Sequence, residues 1–243
     1  MSVHKIVQVS ASRKDLPEWH GISDLFSEVQ IRSVLQHSWA AIQHSLEYKS
    51  VADAPREFRR RLVRLAGLLE LADEEFASLK CEQLRLVQRI ASRVAEGKLD
   101  FSIDVVSLRE YIPHSTSVAK FISAAKRCNI SVQEDKSIWG FSHLVQACKI
   151  CDIGNIEDLE KKLASVSATD IVRFFERFLV ALDLPLVAGP IIGDASHFVA
   201  VAVIAFFNNG VRASDITEAI GWDAFYPDAI LEASTSGNRK SGA

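Results

Sequence analysis

Residues 27–49 read SEVQIRSVLQHSWAAIQHSLEYK, and the hydrophobic period changes in the middle of them. Val29 and Ile31 alternate with Glu28, Gln30 and Arg32, the period of two expected of a half-buried strand. Leu25 and Phe26 extend that alternation upstream. From Ser33 onward, Leu35, Trp39, Ile42 and Leu46 follow a helix stripe. Moving outward, Val3, Val7 and Val9 alternate with Ser2, His4, Ile6 and Gln8, which predicts a second strand. The polar stretch 10–24, holding Pro17 and Gly21, would close an antiparallel hairpin with a long loop.

Downstream, Pro55 suits the first turn of a new helix. Phe58, Leu62, Leu65, Leu69, Ala72, Phe76 and Leu79 make a sustained apolar face, and Leu84, Val87, Ile90 and Val94 continue it. This long helix or helix pair is predicted to end at Gly97, a C-cap. Beyond Asp100 the pattern predicts short helices over 105–112, 118–128, 141–148, 156–163 and 169–182, the last capped by Thr169 or Asp170. Residues 129–135 and 185–194 read as connectors, and a last short helix starts at Ser214 or Asp215. Phe174, Phe178 and Leu182 form one stripe, widened by Phe175. The predicted class is α+β, mostly α: an N-terminal antiparallel strand pair, then helices and an all-helical C-terminal region. The expected domains are 1–99 and 100–233, with a disordered polar tail at 234–243.

Composition sets the bounds. The chain has 243 residues, 28 Lys+Arg against 31 Asp+Glu, and a formal net charge of −3. That balance argues against a strongly basic, duplex-coating protein. A hydrophobic content of 48% excludes a wholly disordered or collagen-like chain. Four cysteines and a start, Met1-Ser-Val-His-Lys, without an apolar signal region predict a reducing, cytoplasmic setting. The apolar run Phe198–Phe207 is too short to span a bilayer and is expected to be a buried core helix, with no membrane partner.

Residues two apart on a strand share a face, so Glu28, Gln30 and Arg32 project together. Ser2 and His4 are expected beside them across the hairpin. A carboxylate, an amide, a guanidinium and an imidazole would then line one surface, which on composition alone is the ordinary solvent face of a sheet. Cys148-Lys-Ile-Cys151 has redox or zinc spacing with His143 nearby. It lacks a second ligand pair and reads as buried thiols. Arg59, Arg60, Arg61 and Arg64 read as a solvated basic face, with nucleic-acid or nucleotide phosphate as the minority reading. His114 and His197 are isolated in sequence and read as structural. The sequence holds no Walker A loop, no glycine-rich dinucleotide fingerprint and no His-Asp doublet.

The stretch from Ser27 to Lys49 resembles the second half of a RelA/SpoT-type alarmone synthetase domain. That family shows E-[VI]-Q-I-R-[TS] on a strand, then a helix with H-x-W-A-x-I-x-H-x-L-x-Y-K. Glu28, Gln30, Arg32, His37, Trp39, His44, Tyr48 and Lys49 match it in order. Ser2-Val3-His4 fits the end of the family's Y-x-S-x-H strand motif, and 64–73, RLAGLLELAD, is similar to the helix that follows. The resemblance covers residues 1–80.

The resemblance implies Mg²⁺-dependent transfer of pyrophosphate from ATP to the ribose 3′-hydroxyl of GDP or GTP. Glu28 would orient the hydroxyl, accept its proton or hold the metal. His4 would help hold guanine, and Gln30 would be a polar contact near the acceptor nucleotide. Arg32, His44 and Lys49 would contact phosphates or hold strand against helix. Met1 stands at the second position of the strand motif, after its tyrosine, and Ala41 and Gln43 replace two glutamates of the helix motif. The family's basic ATP-binding segment and metal-binding aspartate lie further upstream. The resemblance therefore predicts a truncated member with impaired synthesis. Two alternatives stand beside it. One is pyrophosphorylation of a tRNA 3′ end. The other is a non-catalytic helical module that regulates or recruits a partner. A homo-oligomer is the remaining partner expectation.

Overall fold

The structure, a computed structural model, describes residues 2–46, 55–133, 138–183 and 191–235. The chain divides into two compact units, Met1–Leu84 and Arg85–Ala243. The class expected from sequence, α+β and mostly α with an N-terminal strand pair, is the one observed.

In the first unit β1 (Val3–Val7) pairs antiparallel with β2 (Ser27–Ile31), with His4 opposite Gln30 and Ile6 opposite Glu28. The strands are not half-buried as their alternation implied. Every residue of both is exposed, including Val3 at 53% and Ile31 at 55%. Alternation sorts side chains to two faces, but burial needs a second layer. Among the described elements each strand packs chiefly on the other. Helix α1 (Val34–Ser45) follows β2 directly. Helix α2 (Arg56–Ala95) is one continuous helix, and Gly97 beyond it takes a φ of 72°, the left-handed C-terminal conformation that glycine adopts without strain. Its apolar stripe is largely uncovered: Leu62 and Ile90 are buried, but Phe58, Leu65, Phe76 and Leu79 are exposed.

The second unit holds the core. It contains α3 (Val105–Tyr111), α4 (Thr116–Arg127), β3 (Ser131–Gln133), α5 (Ile138–Ile150), α6 (Ile156–Ser165), α7 (Ala168–Ala181), β4 (Ile192–Asp194), α8 (Ala195–Phe207), α9 (Ala213–Ile220) and α10 (Phe225–Thr235). The apolar run falls in α8, which is buried almost throughout and touched by α4, α5 and α10. Gly140 of α5 lets α5 and α8 approach, because a Cβ there would stand 2.3 Å from Ser196 Oγ. Phe174, Phe175, Phe178 and Leu182 are buried as their spacing predicted, and Phe174 meets Phe206 edge-on at 5.4 Å.

Three details differ from the sequence reading. Residues 129–135 and 185–194 are not only connectors. Ser131–Gln133 and Ile192–Asp194 pair as parallel strands, so the C-terminal region is not all-helical. Three residues are too few to show a period, and their pairing is long-range. Helix α7 is capped by Ser167, whose Oγ accepts from the Asp170 N–H at 3.1 Å, rather than by Thr169 or Asp170. His197 is not isolated. Its Nε2 shares a 2.7 Å hydrogen bond with Tyr226 Oη, and its ring packs on Trp222 and His143. Of the expected tail, Ser234 and Thr235 close α10, and 236–243 lie outside the described residues.

Two polar groups tie the core helices together. Tyr111, Ser115 and Ser117 all donate to the Glu160 carboxylate at 2.5–2.6 Å. Burial raises its pKa, but the hydroxyl donors and Lys120 outweigh that and hold it below the usual range. Lys120 Nζ donates to the carbonyls of Leu163, Ala164 and Val166. Cys148 and Cys151 are buried free thiols, pushed up by burial to about 12 and about 11.

Burial lowers the His197 pKa to about 4, with His143 adding to the effect. The unfolded chain binds this proton near the ordinary value of 6.5, the folded chain only near 4. Unfolding free energy should therefore fall as pH drops from 6.5 toward 4, by on the order of 3 kcal/mol from this group. His197→Phe should flatten that slope in urea denaturation monitored by circular dichroism. Phe178→Ala should cost about 3–5 kcal/mol, and Phe76→Ala on the uncovered stripe of α2 less than about 1 kcal/mol, in the same measurement.

Candidate functional site

The site grows from the β1–β2 register. Since His4 faces Gln30 across the ladder, the even-numbered residues of both strands share one face. His4 Nδ1 lies 2.5 Å from Glu28 Oε1. Ser2 Oγ lies 2.7 Å from His4 Nε2. On the same face Arg32 Nη2 donates to Gln30 Oε1 at 2.7 Å. The expectation that His4 and Glu28 project together is met, and Ser2, Gln30 and Arg32 join them.

The electrostatics follow from these contacts. The hydrogen bond from His4 is the largest influence on Glu28, followed by charge attraction to His4. Together with a hydrogen bond to Gln30 they outweigh the small cost of burial and hold its carboxyl below the ordinary value of 4.5. Glu28 is thus ionised at neutral pH. The two ring nitrogens of His4 thus bond a carboxylate at one end and a hydroxyl at the other, which fixes the orientation of the ring. The pair is a positioned acid–imidazole unit. It is open to water, with side-chain exposures of 44% for His4 and 52% for Glu28.

The other expected residues are placed differently. His44 sits exposed in the last turn of α1, and among the described residues no hydrogen bond or ion pair joins it to the strand face. Lys49 lies outside the described residues, as does Tyr48. Arg60, Arg61 and Arg64 are exposed on α2.

One positioning residue escaped the sequence reading. Ser33 caps α1: its Oγ accepts from the Gln36 N–H at 3.0 Å, and the Gln36 side chain accepts from the Ser33 N–H at 3.2 Å. The same Oγ donates to Asp73 of α2 at 2.5 Å. One hydroxyl therefore starts the helix that follows β2 and ties α1 to α2. The local half was visible as Ser33-Val-Leu-Gln36, a capping box. The Asp73 half was not, since it spans forty positions of chain. Beside it Leu35, Gln36 and Trp39 face Ala66, Leu69, Glu70, Asp73 and Glu74 across a cleft of about 350 Å³.

No family model matches the chain, and no solved structure does. Over 77 residues it is 32% identical to the GTP pyrophosphokinase YjbM of Bacillus subtilis (strain 168). That similarity takes in 32% of this chain and 36% of the relative, so the chain spans about a third of the relative's length. No described helix is long and apolar enough to cross a membrane.

Two outcomes are expected here. The Glu28 side-chain carboxyl, followed by carbon-detected NMR, should titrate below pH 4.5 and return toward that value in His4→Ala. Any stability this pair contributes is present above pH 4.5 and lost as pH falls through the lowered midpoint. Ser33→Ala should cost the α1 start about 0.5–2 kcal/mol, read as faster amide exchange across its first turn.

Proposed function

We propose that residues 1–80 form the acceptor side of a RelA/SpoT-type pyrophosphokinase, which moves pyrophosphate from ATP to the 3′-hydroxyl of GDP or GTP. The observation that carries this reading is the Glu28–His4 hydrogen bond on the strand face of the SEVQIRS motif. The similarity to a GTP pyrophosphokinase over 77 residues supports it.

In the reaction a bond forms between the ribose 3′ oxygen and the β-phosphorus. The bond from that phosphorus to the α-phosphate oxygen breaks, AMP leaves, and the hydroxyl proton departs. A ribose hydroxyl is a weak nucleophile and has to be aimed. Glu28 accepts a hydrogen bond from it and orients its lone pair. With its pKa held low, Glu28 acts mainly by orientation and charge rather than by holding the proton. His4 and Ser2 offer polar contacts to the guanine base, and Gln30 and Arg32 to the ribose and phosphates. His44 and Lys49 remain phosphate candidates on the following helix.

Mg²⁺ fits this face only in part. The ion keeps several waters and takes one or two carboxylates plus substrate phosphates. Glu28 supplies one such carboxylate, and among the described residues no group of three His, Cys, Asp or Glu could hold a metal. Glu28 is therefore the residue proposed to hold it, with nucleotide phosphates completing the set. When bound, the ion would offset charge on the phosphoryl oxygens.

The exposed Arg60, Arg61 and Arg64 favour tRNA as a second acceptor, since adjacent cations attract a phosphate backbone. Purified 1–243 with Mg²⁺ and γ-labelled ATP should be assayed against GDP, GTP and tRNA, with GDP binding followed by calorimetry. Transfer should be slow, because an exposed carboxylate works against water rather than in a closed site. Glu28→Gln should lower the rate a further ~10²–10⁴-fold, and His4→Ala should weaken GDP binding about tenfold or more. Transfer to tRNA alone would select the second acceptor. The absence of both GDP binding and transfer to any acceptor would overturn the reading in favour of a non-catalytic helical module.

A further inference from the structure

The second unit carries a cleft that the synthetase reading does not use. It has a volume of about 500 Å³ and lies between α3, α4, α5 and β3. Small-molecule sites span roughly 300–1,000 Å³, with mostly apolar walls and few polar groups. This cleft has that make-up. Ile112, Ile122, Val132 and Phe141 line it, together with two cations, Arg109 of α3 and Lys126 of α4.

The cations are what make the cleft specific. Among the described residues neither Arg109 nor Lys126 forms an ion pair, whereas Arg93, Arg173 and Arg212 of the same unit each do. Arg109 instead holds its guanidinium 5.7 Å from the centroid of the Phe141 ring, over the apolar wall of the cleft. An apolar wall holding Phe141 and two cations with no ion-pair partner among the described residues suit a ligand with a flat apolar body and an anionic end. Lys126 also lies in the last turn of α4, where a cation complements the helix dipole. That role explains its charge but not its convergence with Arg109 on one cleft.

We propose that this cleft binds a small organic anion, a carboxylate or phosphate monoester on an apolar or aromatic body, of up to mononucleotide size. The anionic end meets Arg109 and Lys126, and the body lies against Phe141 and Ile122. The proposal is independent of the pyrophosphokinase reading, because every residue it uses lies in the second unit.

The test uses the full chain and three probes: phenyl phosphate, inorganic phosphate and benzyl alcohol. Binding is measured by calorimetry and located by NMR shifts of the Ile112, Ile122 and Val132 methyl groups. Phenyl phosphate should bind saturably and shift those methyls, at least tenfold more tightly than either other probe. Arg109→Gln with Lys126→Gln should weaken it at least tenfold without changing the circular dichroism spectrum. Arg109→Lys, which keeps the charge, should retain most of the affinity if Arg109 acts through charge and not through packing on Phe141. Equal binding of phenyl phosphate and benzyl alcohol, unmoved cleft methyls, or full affinity in the double variant would each overturn the proposal.

Discussion

A helix without a polar face has to be covered on every side, and in this chain that helix is α8. From Phe198 to Ala205 it offers nothing for water to bind, and all of these residues are buried. Covering it dictates the second unit: α5 comes close enough to require Gly140, while α4 and α10 close other sides. Aromatic side chains of α7 fill the remaining space through Phe174 against Phe206 and Phe175 against Phe198. Two of the polar groups taken inside are answered in kind, while the buried Thr217 hydroxyl has no partner among the described residues. Glu160 is met by three hydroxyls, and His197 by Tyr226.

The first unit is organised by a different physics. Its strand residues are all exposed, and its order comes from hydrogen bonds: the antiparallel ladder, the capping box of Ser33 and Gln36, and the link from Ser33 to Asp73. Such bonds set direction and register at modest net stability. The consequence for chemistry is direct. His4 and Glu28 are aligned to bonding distance, yet both stay in contact with water. Charge–charge and hydrogen-bond interactions on such an open face are weakened by water. The exposed apolar residues of β1, β2 and α2 belong to the same picture: a polar strand face on elements whose described residues leave it open to water.

Two kinds of site therefore coexist in one chain. One is built on strand alternation and faces solvent. The other is a cleft among packed helices, where apolar walls come from the core's edge and charge comes from Arg109 and Lys126. The buried thiols Cys148 and Cys151 and the pair His143 and His197 resemble functional groups by composition. Their surroundings assign them to packing: burial keeps both thiols protonated and both imidazoles neutral near pH 7.

Periodicity located β1, β2, α1, the helical stretch that the structure shows as one α2 rather than a pair, and most helices of the second unit, because side-chain period is a local property of the chain. It also put Glu28, Gln30 and Arg32 on one face by counting along a strand, while the expectation that His4 joins them was decided by the cross-strand register. What it could not determine depends on groups far apart in sequence. The pairing of Ser131–Gln133 with Ile192–Asp194 joins two segments too short to show a period. Ser33 finds Asp73, Trp222 donates to His143, and Arg109 and Lys126 converge on one cleft only after the helices pack. Whether an apolar face is covered is decided there too. The stripes of α2 and α7 look alike in sequence, yet Phe76 stands 64% exposed while Phe178 is sealed, because a period names the face and only the neighbouring elements can exclude water from it.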